Sequence, residues 1–416
     1  MKKICLFISS LNKGGSERVM VNLAGRFAAA GTETVLVTQY REKNEYPLPA
    51  GVRRVYSELT PEEQGGRLQN LVRRYRKLQR IWETEQPELI LSFIGKNNIM
   101  AVLTARKLQI PVVVSVRSDP FMEYPKEEPL LRLAARAVFP KAAGIVLLTE
   151  RCRDFFGESG KTQKKIVILP NLLAEEFAQL NHASTDEFAQ TDHAPAKELT
   201  EPEIAEHCPG DAEQDRTELR TEAENAEKRL LLTAIGRLDE NKNQAMMIRA
   251  YERIRREFPD SCLEIYGDGP DREKLEQLII SMDAEEQIRL MGSTDQVPQV
   301  LKRTAVFMLC SGFEGMPNAL LEAMMLGTAC IATDCPIGGP AEVIRSGENG
   351  ILIPVNDEEA LAAALRELLS DPAGRNRIAR EAAKIAELYD PAKAFERWRE
   401  YLDGIAEQNQ KNKQDQ

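Results

Sequence analysis

Along the first 174 residues, short apolar runs alternate with longer stretches in which apolar residues recur at helical spacing. The runs are ICLFIS, TVLVTQ, ELILSF, PVVVSV, GIVLLT and KIVILP, and a helix is predicted from about Glu17 to Ala30. Unbroken Val/Ile/Leu runs suit strands buried on both faces, so the pattern predicts βαβ units around a parallel sheet. The alternation restarts near residue 228 with LLLTAIG, CLEIYG, IRLMG, AVFMLC, CIATD and GILIPV. An α/β chain of two doubly wound, Rossmann-like domains is expected, 1–174 and 228–389, with no short repeat. Between them, 175–227 is rich in Glu, Asp, Ala, Thr and Pro and nearly free of aromatics, which predicts a disordered linker or insertion. Pro391 to Glu407 reads as an amphipathic helix carrying Phe395, Trp398, Tyr401 and Leu402. That helix, placed at 390–408, is expected to complete the first domain and leave 409–416 as a disordered tail.

Composition agrees with a soluble globular chain: 416 residues, 43% hydrophobic and 29% charged. No apolar run approaches the roughly 18 residues of a membrane span. The opening MKKICLFISSLNKGG ends in a polar turn without a small-residue cleavage pattern, so it reads as a first buried strand and not a signal peptide. Seven scattered cysteines without a C-x-x-C pair favour free thiols in a reducing cytoplasm over a disulfide scaffold or a zinc site. Charge is uneven. Residues 1–180 hold 28 Lys and Arg against 19 Asp and Glu, 181–227 hold 3 against 14, and the rest 24 against 32, which together give −10. All three histidines (His182, His193 and His207) fall in the acidic segment, so no histidine is available as a base in the folded parts. The acidic balance and the lack of a recognition motif exclude nucleic acid as a partner.

Four strand-to-helix turns carry candidate chemistry. SGFEGMPNALLEAMMLG follows an apolar run of strand length. Pro317 suits the first helical position, and Gly327 suits a C-terminal cap. Glu314 then lies just ahead of a helix N-terminus and Glu322 about two turns in. Carboxylates accept hydrogen bonds in pairs, which suits sugar diols, and the opening N–H groups of a helix favour an anion. The competing reading is a plain strand–turn–helix whose acids face solvent. LLLTAIGRLDENKNQ places Gly236, Arg237 and Lys242 at the carboxyl edge of a strand, where a fork and a point charge suit a diphosphate. CLEIYGDGP lacks the third glycine of a dinucleotide fingerprint and reads as a tight turn. SSLNKGGSER puts Gly14 and Gly15 where backbone could approach a phosphate or a sugar, or merely turn.

The ordered set of motifs resembles the GT4 family of retaining glycosyltransferases, whose fold is GT-B: two Rossmann-like domains facing across a cleft. Glu314 and Glu322 look like its E-x7-E element, GRLDENK its Arg/Lys pair, YGDGP its glycine turn and LNKGGSER its N-terminal glycine loop. TDCPIGGPAEVIRSGENGILIPVND is similar to the branch acting on undecaprenyl-linked or cell-surface glycans with UDP-sugars. The resemblance implies that Arg237 and Lys242 neutralise a leaving nucleoside diphosphate and that Glu322 holds the ribose hydroxyls. It places Glu314 and the backbone of Gly315, Met316, Pro317 and Asn318 at the donor sugar, with Gly236 in the donor turn and Gly15 approaching from the other domain. Where many relatives carry a histidine near the acceptor, this chain reads SVRSDP, so Arg117 and Asp119 stand as candidate acceptor contacts.

No Asp-x-Asp pair exists, so no metal and no other cofactor is expected; fixed cations and a helix N-terminus take the metal's place beneath the diphosphate. The implied partners are a nucleotide sugar and a glycan or undecaprenyl-linked saccharide. In RLQNLVRRYRKLQRIW, apolar residues at helical spacing share a helix with Arg73, Arg74, Lys77 and Arg80. That helix either packs on the sheet with a solvated basic face or lies on anionic lipid at the inner face of the plasma membrane. The alternatives to a transferase are a sugar-nucleotide epimerase or phosphorylase of the same fold, and a non-catalytic nucleotide-sugar-binding module.

Overall fold

A computed structural model describes residues 1–157, 160–180 and 230–414. Its first sheet holds β1 (Lys3–Ile8), β2 (Glu33–Thr38), β3 (Val52–Tyr56), β4 (Leu89–Phe93), β5 (Val112–Ser115), β6 (Gly144–Leu147) and β7 (Ile166–Ile168). They lie in the order β3-β2-β1-β4-β5-β6-β7. The second sheet holds β8 (Leu230–Ile235), β9 (Ser261–Tyr266), β10 (Ile288–Gly292), β11 (Val306–Leu309), β12 (Ala329–Thr333) and β13 (Ile351–Ile353). Their order is β10-β9-β8-β11-β12-β13, and every strand pairing in both sheets is parallel. Both orders reverse beside the first strand, between β1 and β4 and between β8 and β11. There successive crossovers leave toward opposite faces of the sheet and a crevice opens at the carboxyl ends of the strands.

Side-chain alternation along the strands divides the cores. Ile4, Leu6 and Ile8 pack with α1 (Gly15–Ala29) and the C-terminal helix; Cys5 and Phe7 point the other way. On that second face lie α2 (Arg67–Glu85), α3 (Gly95–Ala105) and α5 (Pro129–Val138), with the single turn α4 (Pro120–Glu123) between. β3, sequence VRRVY, was not expected. It is an edge strand whose arginines reach side-chain acids: Arg53 meets Glu85 and Arg54 meets Glu45.

Two boundaries differ from expectation. The C-terminal helix runs Pro391–Gln414, so most of the tail expected to be disordered continues a helix. Its Phe395, Trp398, Leu402 and Ala406 are buried against the first sheet, and Trp398 Nε1 donates to the Pro170 carbonyl at 2.9 Å. Residues 175–180 are helical, with Phe177 buried beside second-domain residues, so the linker expected from 175 begins later. Its remainder, with all three histidines, lies outside the described residues. Six of the seven cysteines are described, and Cys5, Cys152, Cys310, Cys330 and Cys335 are buried free thiols. No helix among the described residues is long and apolar enough to cross a membrane.

Candidate active site

At the reversal point of the second sheet two loops leave neighbouring strands, 236–243 after β8 and 310–317 after β11. Asn241 fastens them together. Its Nδ2 donates to the Phe313 carbonyl at 3.1 Å, its Oδ1 accepts from the Phe313 amide at 3.0 Å, and its carbonyl accepts from the Gly312 amide at 2.8 Å. This brace sets Lys242 against Glu314, and Lys242 Nζ bonds Glu314 Oε1. Ser311 Oγ donates to the same oxygen at 2.7 Å. Lys242 and Glu314 are mostly buried, whereas Arg237 is 70% exposed and meets Asp239 at 3.6 Å. The Lys242 stem runs over Gly236, where an added Cβ would touch its Cε at 3.5 Å. A mostly buried ammonium–carboxylate pair beside an exposed guanidinium can take up an anion with little rearrangement.

The glycine turn after β9 packs against this loop instead of facing the crevice. Gly267, at φ +137°, stands where a Cβ would come within 1.9 Å of the Gly236 carbonyl oxygen. The tight-turn reading of YGDGP therefore stands, and its work is to let two backbones touch.

The loop after β11 leads into the helix Asn318–Met325. Pro317 is its N-cap residue and not its first helical residue, so Glu322 lies one turn in, nearer the crevice than two turns would place it. Gly327, at φ +70°, ends the helix as expected. Gly315 abuts protein. A Cβ there would sit 2.7 Å from Leu148 Cδ1 and 2.9 Å from the Arg117 carbonyl oxygen, so the expected room for a ligand at Gly315 is filled by the first domain.

Across the domain boundary Asn171, in the segment after β7, donates to the Met316 carbonyl at 2.9 Å and to Asn318 Oδ1 at 2.5 Å. Asn318 Nδ2 in turn donates to the Gly15 carbonyl at 3.2 Å. Gly15, Met316 and Asn318 thus meet, through backbone and amide groups. Glu322, 1% exposed, faces Arg18 of α1, with Arg18 NH2 2.5 Å from Glu322 Oε1. Burial raises the Glu322 pKa, and Arg18 offsets part of that rise.

Arg117 and Asp119 both make contacts within the first domain. Arg117 is buried, bonded to Asn171 Oδ1 and stacked 4.9 Å over Phe93 and 5.8 Å from Trp398. Burial pulls its pKa down to about 9, still charged at neutral pH. Asp119 is buried too and caps α4, accepting from the Phe121 amide at 2.7 Å. Both side chains make framework contacts, and the backbone between them touches the loop after β11 at Gly315.

Four residues of this frame escaped the sequence reading: Arg18, Glu123, Asn171 and Asn241. Glu123 is a buried carboxylate accepting from the amides of Gly95 (3.0 Å), Arg117 and Ser118 (3.1 Å each). Burial outweighs those bonds and raises its pKa. Its only sequence signal is an acid flanked by Met122 and Tyr124. Arg18 and Asn171 act on partners far along the chain, 145 and 147 positions away for Asn171, which no local spacing reveals. Among the described residues no group of three or more His, Cys, Asp or Glu is placed to hold a metal.

A two-sheet α/β fold with cations and carboxylates at one reversal point and a second domain closing over them defines the GT-B glycosyltransferases. Residues 14–172 match the model of the glycosyl transferase 4-like domain and residues 215–385 that of the glycosyl transferases group 1. The chain is a glycosyltransferase of the GT4 type. It is 23% identical over 405 residues to the GalNAc-alpha-(1->4)-GalNAc-alpha-(1->3)-diNAcBac-PP-undecaprenol alpha-1,4-N-acetyl-D-galactosaminyltransferase of Campylobacter jejuni, covering 96% of this chain and 97% of that one. Over 158 residues it is 32% identical to the N-acetyl-alpha-D-glucosaminyl L-malate synthase of Bacillus anthracis, 38% of this chain and 41% of that one. Among solved structures, HepE of Anabaena in complex with UDP-glucose superposes with a TM-score of 0.74 at 16% identity, covering 97% of this chain and 100% of that one.

Proposed function

We propose that this enzyme moves a hexosyl or N-acetylhexosaminyl group from a nucleotide sugar, a UDP-sugar, to a glycan or undecaprenyl-linked saccharide, with retention at the anomeric carbon, in cell-surface polysaccharide synthesis. The observation that carries the reading is the braced pair Lys242–Glu314 beside exposed Arg237, opposite the helix that bears Glu322. As the bond from the anomeric carbon to the diphosphate oxygen breaks, negative charge grows on the departing nucleotide. Arg237 and Lys242 answer it without a metal, and Glu314 is left to hold the sugar. The acceptor oxygen bonds the same carbon from the same face and its proton passes to the leaving oxygen. This front-face course and the retention follow from the family resemblance. A panel of UDP- and GDP-sugars scored by slow donor hydrolysis tests the reading, with one UDP-sugar expected to stand out and its turnover to survive EDTA. Binding of UDP with no hydrolysis or transfer from any donor would favour a non-catalytic binding module instead.

The acceptor side points to lipid. Leu68 on α2 and Leu130 on α5 are 80% and 82% exposed, and Leu71, Val72 and Leu133 are exposed with them. Between these helices lies α3, packed against both. Exposed leucines on the same helix as Arg67 and Arg76, both exposed, suit an anionic bilayer, in which an undecaprenyl acceptor would reside. Wild type should float with vesicles containing phosphatidylglycerol and a Leu68→Asp/Leu130→Asp variant should not. A wild type that stays in solution at every salt concentration sinks the membrane reading.

A further inference from the structure

Glu322 is deeply buried, yet its Oε1 has no aligned hydrogen-bond donor among the described residues. Arg18 meets that oxygen as a counter-charge at 2.5 Å and comes from the other domain. A buried carboxylate with open acceptor positions and a counter-charge from across the crevice is an incomplete site, poised for hydroxyl donors. On the reading just given, those donors are the ribose hydroxyls of the nucleotide.

We propose that Arg18 is a positioning residue of the donor site: reaching over from α1, it keeps the Glu322 carboxylate charged and oriented for the incoming diol, so that the nucleotide pocket of the second domain is complete only when the first domain is docked on it. Glu322 then accepts hydroxyl hydrogens through its free positions while Arg18 remains as its counter-ion. Other charged or titratable groups share the neighbourhood. Glu176, on the helical 175–180 segment, opposes the ionised form of Glu322. Tyr46 lies near Arg18, Glu322, Glu17 and Asp295, and burial raises its pKa. Arg18 is the cation that meets Glu322, and although burial works against its charge, Glu322, Tyr46 and Glu176 raise its pKa above the ordinary value. Two further contacts hold α1 in place over the second domain: Lys13 meets Asp295 at 2.6 Å, and the Gly15 carbonyl accepts from Asn318. The loop after β2 supports the same turn, since the Tyr46 amide donates to the Leu11 carbonyl at 2.9 Å.

The test is the affinity for UDP, by calorimetry, between about pH 5 and pH 8 for wild type, Arg18→Met, Arg18→Lys and Glu322→Gln. Removing the cation from a buried carboxylate pushes that carboxyl's pKa further up, so it takes a proton at a higher pH. Arg18→Met is expected to bind UDP at least about tenfold more weakly at neutral pH. Its remaining affinity should fall as the pH drops, over a range in which wild type is steadier. Arg18→Lys should regain most of the affinity, and Glu322→Gln should be weak at every pH. A role in packing alone would leave the pH profile unmoved. If Arg18→Met binds UDP as wild type does across the range, the proposal is overturned while the donor reading survives. If wild type itself binds no uridine nucleotide, the donor reading falls and this inference with it. Should Arg18→Met melt well below wild type, Arg18→Gln, which keeps a planar donor without the charge, is measured in its place against the same two outcomes.

Discussion

At the residue scale, the distinction that matters is between charges held still and charges left free. Lys242 is clamped by Glu314, whereas Arg237 stands in solvent. Arg237→Ala should leave the melting midpoint unchanged and lower turnover by about 10²–10³, the loss typical of removing one preorganised donor. Lys242→Ala should cost as much turnover and also lower the midpoint, because Glu314 loses its partner in a mostly buried place. Losses under about threefold in both variants would remove them from the chemistry. Gly315→Ala is a different experiment. The new methyl would meet the Arg117 carbonyl of the other domain, so its expected effect is weaker donor binding as the domains are wedged apart. Calorimetric titration with UDP measures that, and unchanged affinity would mean the loop yields. That Arg237, Lys242 and Glu314 share one sheet edge was legible in the sequence because they sit just beyond strands, and Glu322 because the helix follows at once. Arg18 was not, since a long-range ion pair leaves no periodic trace.

Elements tell the same story at larger spacing. Strands with unbroken apolar runs could be read directly, because burial on both faces demands them. β3 could not, since as an edge strand it uses two arginines where a central strand would place valines. Arg54 forms a two-pronged contact with Glu45, at 2.6 and 2.9 Å, and this holds the Glu45 carboxyl down at about 2, against an ordinary 4.5. A carboxyl depressed on folding adds stability above its unfolded pKa and loses it as acid protonates it. The contribution is therefore whole at neutral pH and fades from about pH 4.5 toward 2. Glu45→Gln should lower the melting midpoint at neutral pH and converge on wild type in acid, as followed by circular dichroism. Equal gaps at pH 7 and pH 3 would refute the assignment. The end of the last helix was misread for a related reason: EQNQKNKQDQ lacks apolar residues, but a helix already anchored by Trp398 and Leu402 can propagate through a polar sequence.

At the scale of the whole molecule, the domains are joined twice, by the segment after β7 and by the chain that returns into the C-terminal helix. Ending the chain before Pro391 would uncover the faces of Ile4, Leu6, Ile8 and Phe27 on which Phe395 and Trp398 rest. Loss of a single buried Trp costs about 3–5 kcal/mol, a large share of a domain's stability. The truncated protein is thus expected to retain a melting transition for the second domain and lose that of the first, as scanning calorimetry would record. Two intact transitions would mean that the helix is dispensable.

That returning helix also sets an order of events on the ribosome. The first sheet is translated first, yet one of its apolar faces is covered by a helix that emerges only after the whole second domain. Until the second domain has been made, the nascent first domain must carry a sticky flank through the crowded cell. Premature termination anywhere in the second domain therefore yields no working half-enzyme, only a fragment marked for chaperones and proteases.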